Sequence, residues 1–321
     1  YGDIHQVLPG PQGLYHEGTR FLSRFELSLG AQRPMLLSAM VKEDNALVRI
    51  DLTNPDLMLD EQRPVPRGTL HLCRTRFLWQ GTCHERIRVH NYGTRTFPLV
   101  LTIAMDTDFA DLFEARGRQR PRRGWRLNTI RSKTGLVLGY KGLDETIRRT
   151  YIRCSPTPKR VTLEGLKIEA NIPSHADMTW EISISCDIKP RRSRVFLSYD
   201  RADREADRAL QKAKASDAHV YTSNEQFNHW LNRSMADLHM LISETPQGFY
   251  PYAGVPWFSV PFGRDGIITA LQMLWVNPAV ARGVLGFLAA TQATEVRPEQ
   301  DAEPGKILHE TRQGEMAALG E

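Results

Sequence analysis

The chain has 321 residues, of which 41% are hydrophobic and 25% are charged. These proportions are typical of a globular protein, and the length predicts two domains rather than a single core. No apolar run reaches the about 18 residues of a membrane span, and no signal segment opens the chain, so we expect no membrane partner. The cysteines lack the CxxC spacing of a zinc site, and their scatter predicts free thiols in a cytoplasmic protein. They are Cys73, Cys83, Cys154 and Cys186.

The net charge of +5 comes from one short segment. Residues 116–126, RGRQRPRRGWR, contain six arginines and no acid, and without them 36 basic residues face 37 acidic ones. The residues alone leave two interpretations open, a solvated loop or a site for phosphate or another polyanion. Since no recognition helix or RNA-binding signature accompanies the segment, we expect no nucleic-acid partner.

Residues 1–199 show the patterns of many short strands. After the turn residues 43–45, Val48, Ile50 and Leu52 alternate with polar side chains. A second alternating run, 86–90, stops at the turn signal Asn91-Tyr92-Gly93. Such alternation between turn residues favours an antiparallel β-sandwich as the N-terminal domain. Two further predicted strands close the series, MTWEISISCDI (178–188) and SRVFLSY (193–199).

From residue 200 the composition is typical of helices. Residues 200–223 read as an exposed linker helix, rich in Ala, Glu, Lys and Arg. Ser223 and Gln226 predict a capping box for the next helix, and a long loop is predicted over 243–262. The predicted apolar face of that helix comprises Phe227, Leu231, Met235, Leu238 and Ile242. Further predicted helices span 267–275, ended by Asn277-Pro278, and 279–292, so residues 224–321 form a helical domain.

The segment VPWFSVPFGRDGIITALQMLW (255–275) is the first candidate site. Trp257 and Phe258 precede Arg264 and Asp265, which directly precede the predicted helix. Asp265 has three possible roles, a helix N-cap, a catalytic acid, or part of a clamp for a polar ligand. An aromatic face beside a guanidinium fork and a carboxylate suits a sugar, which has apolar C–H faces and a rim of hydroxyls.

A second polar cluster lies in GKILHETRQGE (305–315). His309 and Glu310 are its candidate ligand-binding residues. A glycosidase needs two carboxyl groups flanking the scissile bond, and Asp265, Glu310 and Glu315 are the nearby candidates. Spacing does not show that any two of them face each other. No GxGxxG, Walker, HExxH or GxSxG sequence occurs, so we expect no cofactor and no metal.

Five long segments resemble the glycogen debranching enzymes of bacteria and archaea, of the amylo-α-1,6-glucosidase type. They are TDFADLFEARG, NEQFNHWLNRSMADLHML, PYAGVPWFSVPFGRDGIITALQMLW, RGVLGFLAATQ and EPGKILHETRQGEMAALGE. The resemblance implies a β-plus-α fold, in which a supersandwich-like β domain precedes an (α/α)6 toroid that binds sugar at its mouth.

The resemblance also assigns roles in substrate binding. Arg264 and Asp265 would hold the hydroxyls of a non-reducing-end glucose, with Trp257 or Phe258 as the stacking wall. His309 and Glu310 would line the same subsite. The catalytic acids of the family fall on later loops, downstream of Glu321, and the arginine segment would have a structural or packing role.

A length estimate agrees with a truncated toroid. Twelve helices of ~11 residues with loops of ~5 need roughly 190 residues, whereas 224–321 supply 98. We therefore expect an excerpt of a longer polypeptide, inactive by itself, from an inverting α-glucan hydrolase.

Two alternatives remain, a non-catalytic carbohydrate-binding or interaction module, and a trehalase-like or other exo-α-glucosidase. The sequence predicts no oligomeric state.

Overall fold

A computed structural model describes residues 1–6, 9–58, 64–188 and 196–320. The chain divides into two compact units. Unit 1 comprises Tyr1–Lys42, Ala46–Ala206 and Gly314–Glu321, and unit 2 comprises Glu43–Asn45 and Asp207–Gln313. The sequence-based limits, 1–199, 200–223 and 224–321, stay predictions.

Unit 1 is built from short antiparallel strands. In chain order they are β1 (Leu14–His16), β2 (Thr19–Leu22), β3 (Arg24–Leu29), β4 (Met35–Val41), β5 (Val48–Thr53), β6 (Leu57–Met58), β7 (Pro64–Val65), β8 (Leu70–Trp79), β9 (Thr82–Asn91), β10 (Phe97–Asp106), β11 (Trp125–Arg131), β12 (Gly135–Lys141), β13 (Ile147–Ser155), β14 (Arg160–Val161), β15 (Gly165–Ile172) and β16 (Asp177–Asp187). Helix α1 (Leu112–Ala115) follows β10 and has a complete capping box made by Asp111 and Glu114.

Two sheets carry most of these strands. The larger has eight strands in the order β11-β12-β13-β16-β9-β8-β5-β4, and the smaller has four in the order β14-β15-β10-β3. Alternate residues of β10 and of β9, such as Leu101 and Ile87, are buried and belong to one hydrophobic core. Each such side chain contributes about 1.5–3 kcal/mol by leaving water. The predicted antiparallel β-sandwich is therefore confirmed.

Helix α2 (Tyr199–Lys214) confirms a helix after residue 200, but it ends nine residues before the predicted limit at 223. The predicted strand 193–199 is wrong over its last four residues, because Tyr199 begins α2 and packs edge-to-face on Phe77 at 4.9 Å between ring centroids. Residues 193–195 of that prediction lie outside the described residues. The limit between the two units falls within α2, after Ala206.

Unit 2 contains a hairpin and three longer helices. Helix α3 (Glu225–Leu241) is followed by β17 (Ile242–Thr245) and β18 (Gly248–Pro251), then by α4 (Gly263–Gln272) and α5 (Pro278–Ala290). Val280, Val284 and Leu288 of α5 are buried with Tyr250 of β18 in a separate core. Helix α6 (Glu315–Leu319) belongs to unit 1.

Three sequence-based details of unit 2 are corrected. Asn224, not Ser223, caps α3, since its side chain accepts the Phe227 N–H at 3.0 Å. The predicted loop 243–262 contains the β17–β18 hairpin. Phe227, on the predicted apolar face of α3, is 40% exposed. Over the described residues, no helix combines the length and the hydropathy of a membrane span.

Candidate functional site

Helix α4 begins four residues earlier than the sequence predicts and ends three residues earlier, at Gln272. Phe262 is the last residue before the helix, and its carbonyl accepts hydrogen bonds from the Gly266 N–H at 2.9 Å and the Tyr250 hydroxyl at 2.7 Å. Tyr250 has no exposed surface. The start of α4 is therefore anchored to the buried core of unit 2.

Two glycines explain how the first turn of α4 packs so closely. A Cβ at Gly263 would lie 2.3 Å from the carbonyl oxygen of Leu308, and one at Gly266 would lie 2.4 Å from the Tyr250 hydroxyl. Both glycines are buried, whereas Arg264 is exposed and Asp265 is half-buried. The sequence GRDG thus packs its two glycines inward and leaves its charged pair accessible.

Asp265 is not the N-cap of α4, so that predicted role is wrong. The cap position is Phe262, which makes no side-chain capping bond, and Asp265 is the third residue of the helix. A carboxylate in the first turn is favoured by the helix dipole. Burial, with the nearby Asp265 charge as the second cause, raises the pKa of Tyr250 to about 12. Neither the Arg264 nor the Asp265 side chain forms a hydrogen bond or ion pair with any residue that the structure describes.

The segment carrying His309 and Glu310 pairs with the entry to α4. The Gly263 N–H donates to the His309 carbonyl at 3.0 Å, and the Thr311 N–H donates to the Pro261 carbonyl at 3.2 Å. An isolated β-bridge joins Phe262 to Glu310. The second polar cluster is therefore held against the first by backbone hydrogen bonds.

Arg312 fixes the side chain of Glu310. Its guanidinium donates from Nε to a Glu310 carboxylate oxygen at 2.9 Å and from Nη1 to the Trp257 carbonyl at 2.9 Å. The Arg312 side chain is only 10% exposed, and that of Glu310 is 29% exposed. The sequence shows Arg312 as a member of a polar cluster. Its connection of Glu310 to Trp257 could not be predicted, because the bond to Trp257 spans 55 residues.

The aromatic residues line the same region. The backbones of Gly254 and Phe258 exchange two hydrogen bonds, of 3.1 and 2.9 Å, which close a tight turn around Trp257. Phe258 and His309 each contact the Phe262 ring edge-to-face, at centroid distances of 5.8 and 5.6 Å. Phe258 is 43% exposed, whereas Trp257 is half-buried. Phe258 therefore offers the larger accessible ring surface.

Glu315 is unavailable as a third accessible carboxylate. It is 2% exposed and accepts hydrogen bonds from the Tyr140 hydroxyl and the Leu143 N–H, both at 2.8 Å. Arg120 adds a charged contact at 3.4 Å. These partners all belong to unit 1, where Glu315 has a structural role.

The arginine segment 116–126 is not a simple solvated loop. The Arg120 side chain is 1% exposed and lies 3.7 Å from Glu114 as well as close to Glu315. Arg123 pairs with Glu114 at 3.0 Å, and Arg126 pairs with Asp106 at 3.0 Å. Arg120, Arg123 and Arg126 thus form ion pairs within unit 1.

The described residues contain no group of three or more His, Cys, Asp or Glu side chains placed to hold a metal ion. The accessible chemistry of unit 2 is one guanidinium, two carboxylates, one imidazole and two aromatic rings around the start of α4. Such a set can grip a polar ligand that also has an apolar face.

The fold is that of a β-plus-α protein, with an antiparallel sandwich in unit 1 and helices in unit 2. A family model described as the N-terminal domain of some glycogen debranching enzymes matches residues 1–184. The chain belongs to this family. None of the curated proteins compared matches the chain.

Two of the solved structures with a similar fold cover most of this chain. "Putative kojibiose phosphorylase from human microbiome" is 9% identical, with a TM-score of 0.61, over 84% of this chain and 39% of that one. A bacterial glucoamylase complexed with acarbose is 11% identical, with a TM-score of 0.52, over 95% of this chain and 48% of that one. At these identities the likeness concerns the fold alone. The chain spans less than half the length of either protein.

Proposed function

We propose that the chain is part of an α-glucan debranching glycoside hydrolase of the amylo-α-1,6-glucosidase type. In this proposal unit 1 is the sandwich that precedes the catalytic domain, and unit 2 supplies the first helices of an (α/α)6 toroid. The family match over residues 1–184 supports the first part. The observation that carries the site is the accessible pair Arg264 and Asp265 on a first turn fixed by two packed glycines.

A terminal glucose would bind at this turn through its hydroxyls. Arg264 offers a planar set of donors and Asp265 a set of acceptors, and neither has to break a bond to a described residue first. Phe258 or Trp257 would cover the apolar face of the ring. His309 and Glu310 would complete the subsite, with Glu310 held in place by Arg312.

Hydrolysis requires two further groups. We propose an inverting reaction, in which a carboxylic acid protonates the glycosidic oxygen and a carboxylate activates water on the opposite face of the sugar. In this proposal Asp265 binds hydroxyls, and the acid and base come from residues downstream of Glu321. The 321-residue chain would then release no glucose by itself.

The four cysteines are free thiols, which supports the proposed cytoplasmic location.

The test is glucose release by the polypeptide extended past Glu321. Three substrates separate the candidates: an α-1,6-branched dextrin, a linear maltooligosaccharide and trehalose. Release from the branched dextrin supports the proposal, and preferential release from trehalose would favour a trehalase-like enzyme. No release from any of them would contradict a hydrolase and favour a carbohydrate-binding module.

A further inference from the structure

Unit 1 contains a half-open cavity of about 250 Å³ that the proposed glucose site does not use. Its wall is formed by the end of β1 and by the β8–β9 hairpin, with Tyr15, His16, Trp79, Gln80 and Thr82 among the lining residues. Pockets for drug-sized ligands begin at about 300 Å³. The cavity is therefore suited to one small ring rather than to an extended chain.

Two tight hairpin turns lie beside this cavity. Gln80-Gly81 connects β8 to β9, and Glu17-Gly18 connects β1 to β2, and all four residues have positive φ. Two-residue turns of this kind favour Asn, Asp or Gly at the first position. Gln80, at a φ of 47°, is an unfavourable choice for the turn itself. A residue kept in such a conformation at the edge of a cavity points to a role for its side chain.

The lining offers the two kinds of surface that a sugar ring needs. Trp79 supplies an aromatic ring to the lining, and its indole N–H donates to Glu205 at 3.5 Å. The Gln80 amide is exposed and makes no hydrogen bond to a described residue. His16 adds an imidazole to the lining, and its Nε2 lies 3.7 Å from a carboxylate oxygen of Glu17. An aromatic ring together with amide and imidazole groups matches a pyranose.

We propose that this cavity is a second carbohydrate site, which binds one pyranose ring of an α-glucan chain. The choice of an α-glucan rests on the proposed function. We call the glucose site proposed at the first turn of α4 the α4 site. A site on the sandwich would hold a long branched substrate at a second point. Two linked weak sites raise the overall affinity for a polymer.

The test is migration of the whole chain in native gels containing glycogen. The background variant is Arg264→Ala, so that the sandwich site is measured without the α4 site. Adding Gln80→Gly removes the side chain and also relieves the positive φ, so a loss of retardation is not a folding defect. The matched control is Glu145→Gly, another residue with positive φ (61°) in unit 1, which does not line the cavity.

Arg264→Ala should retain part of the retardation of the unsubstituted chain. Adding Gln80→Gly should then weaken glycogen binding roughly fivefold, as expected for the loss of about one hydrogen bond. Adding Trp79→Ala should weaken it further, with thermal unfolding as the check on folding, and adding Glu145→Gly should change nothing.

Two results would overturn the second site. The first is Arg264→Ala alone abolishing all retardation, which would leave the α4 site intact as a proposal. The second is residual retardation that neither Gln80→Gly nor Trp79→Ala changes. Loss of binding through Gln80 and Trp79 with no effect of Arg264→Ala would support the second site and contradict the α4 site.

Discussion

Arg312 joins two parts of the α4 site because one guanidinium can donate in several directions at once. It binds the Glu310 carboxylate and the Trp257 carbonyl, and its side chain is nearly buried. An ammonium group is a single point charge on a flexible stem and cannot reproduce this planar set of donors. In the proposed function Arg312 is therefore a positioning residue, which holds Glu310 and Trp257.

We predict that Arg312→Lys lowers affinity for an α-glucan oligosaccharide about tenfold. Loss of a charge-assisted hydrogen bond, worth about 1.5–3 kcal/mol, also lowers the free energy of unfolding. Calorimetric titration and urea unfolding measure the two effects. Arg297→Lys is the control, because Arg297 pairs only with the exposed Glu295 and such surface pairs contribute about 0–1 kcal/mol. Equal effects of the two substitutions on affinity would contradict the positioning role.

At the scale of elements, unit 2 depends on close approach between helix and hairpin backbones. Gly283 of α5 lies against β18, and a Cβ there would be 2.2 Å from the Phe249 carbonyl oxygen. Gly286, one turn further along α5, has ordinary contacts, with 3.5 Å to the nearest atom. The same helix therefore carries one glycine that packing requires and one that it does not.

These two glycines give a matched pair of substitutions. Gly283→Ala should destabilise unit 2 by about 1–3 kcal/mol, since the clash is with backbone and cannot be relieved by turning a side chain. Gly286→Ala should stabilise α5 by roughly 0.5–1 kcal/mol, because alanine is the better helix former. Urea unfolding followed by circular dichroism measures both. Destabilisation of similar size at both positions would show that α5 does not pack on the hairpin in this way.

The bounds of α4 show where sequence patterns fail at this scale. Apolar periodicity placed the helix at 267–275, but its buried residues include Gly263, Gly266 and Ala270, while Ile267 and Leu271 are 45% and 68% exposed. Small residues give no periodic hydrophobic signal, although they permit the closest packing. The β17–β18 hairpin lies in the segment predicted as a loop. Its glycine packs on Gly283, a contact that the sequence pattern does not show.

At the scale of the whole molecule, alternation predicted the sandwich well because both sheets bury one face. Val89 and Ile50 are nearly inaccessible, as the period of two requires.

The proposed site was predictable in its residues but not in its geometry. Arg264 and Asp265 stand out in the sequence. The hydrogen bonds made by Arg312 and by the Phe262 carbonyl, in contrast, join residues far apart in the chain. The burial of Glu315 could not be predicted, since its partners lie more than 170 positions earlier.

The stability of the molecule should fall in mild acid because of one core histidine. His84 is stacked on Phe77 at 5.0 Å between ring centroids, and burial lowers its pKa from 6.5 to about 4. Between these values the unfolded chain binds more protons than the folded one, so stability decreases as the pH falls from 6.5 toward 4. The contribution of His84 is at most about 1.4 kcal/mol per pH unit.

His84→Phe should reduce this slope while keeping the aromatic stack. Urea unfolding at several pH values between 4 and 7 measures it, with the exposed His219→Phe as control. An unchanged slope in His84→Phe would contradict a buried, neutral imidazole in the folded state.

In the proposed function, the first turn of α4 binds a terminal glucose. Isothermal titration with an α-1,6-branched oligosaccharide tests it directly in the unsubstituted chain, in Arg264→Ala and in the control Arg282→Ala, an exposed arginine of α5. We predict that Arg264→Ala weakens binding at least tenfold without changing thermal stability, and that Arg282→Ala binds like the unsubstituted chain. Equal affinity of Arg264→Ala and the unsubstituted chain would contradict the claim.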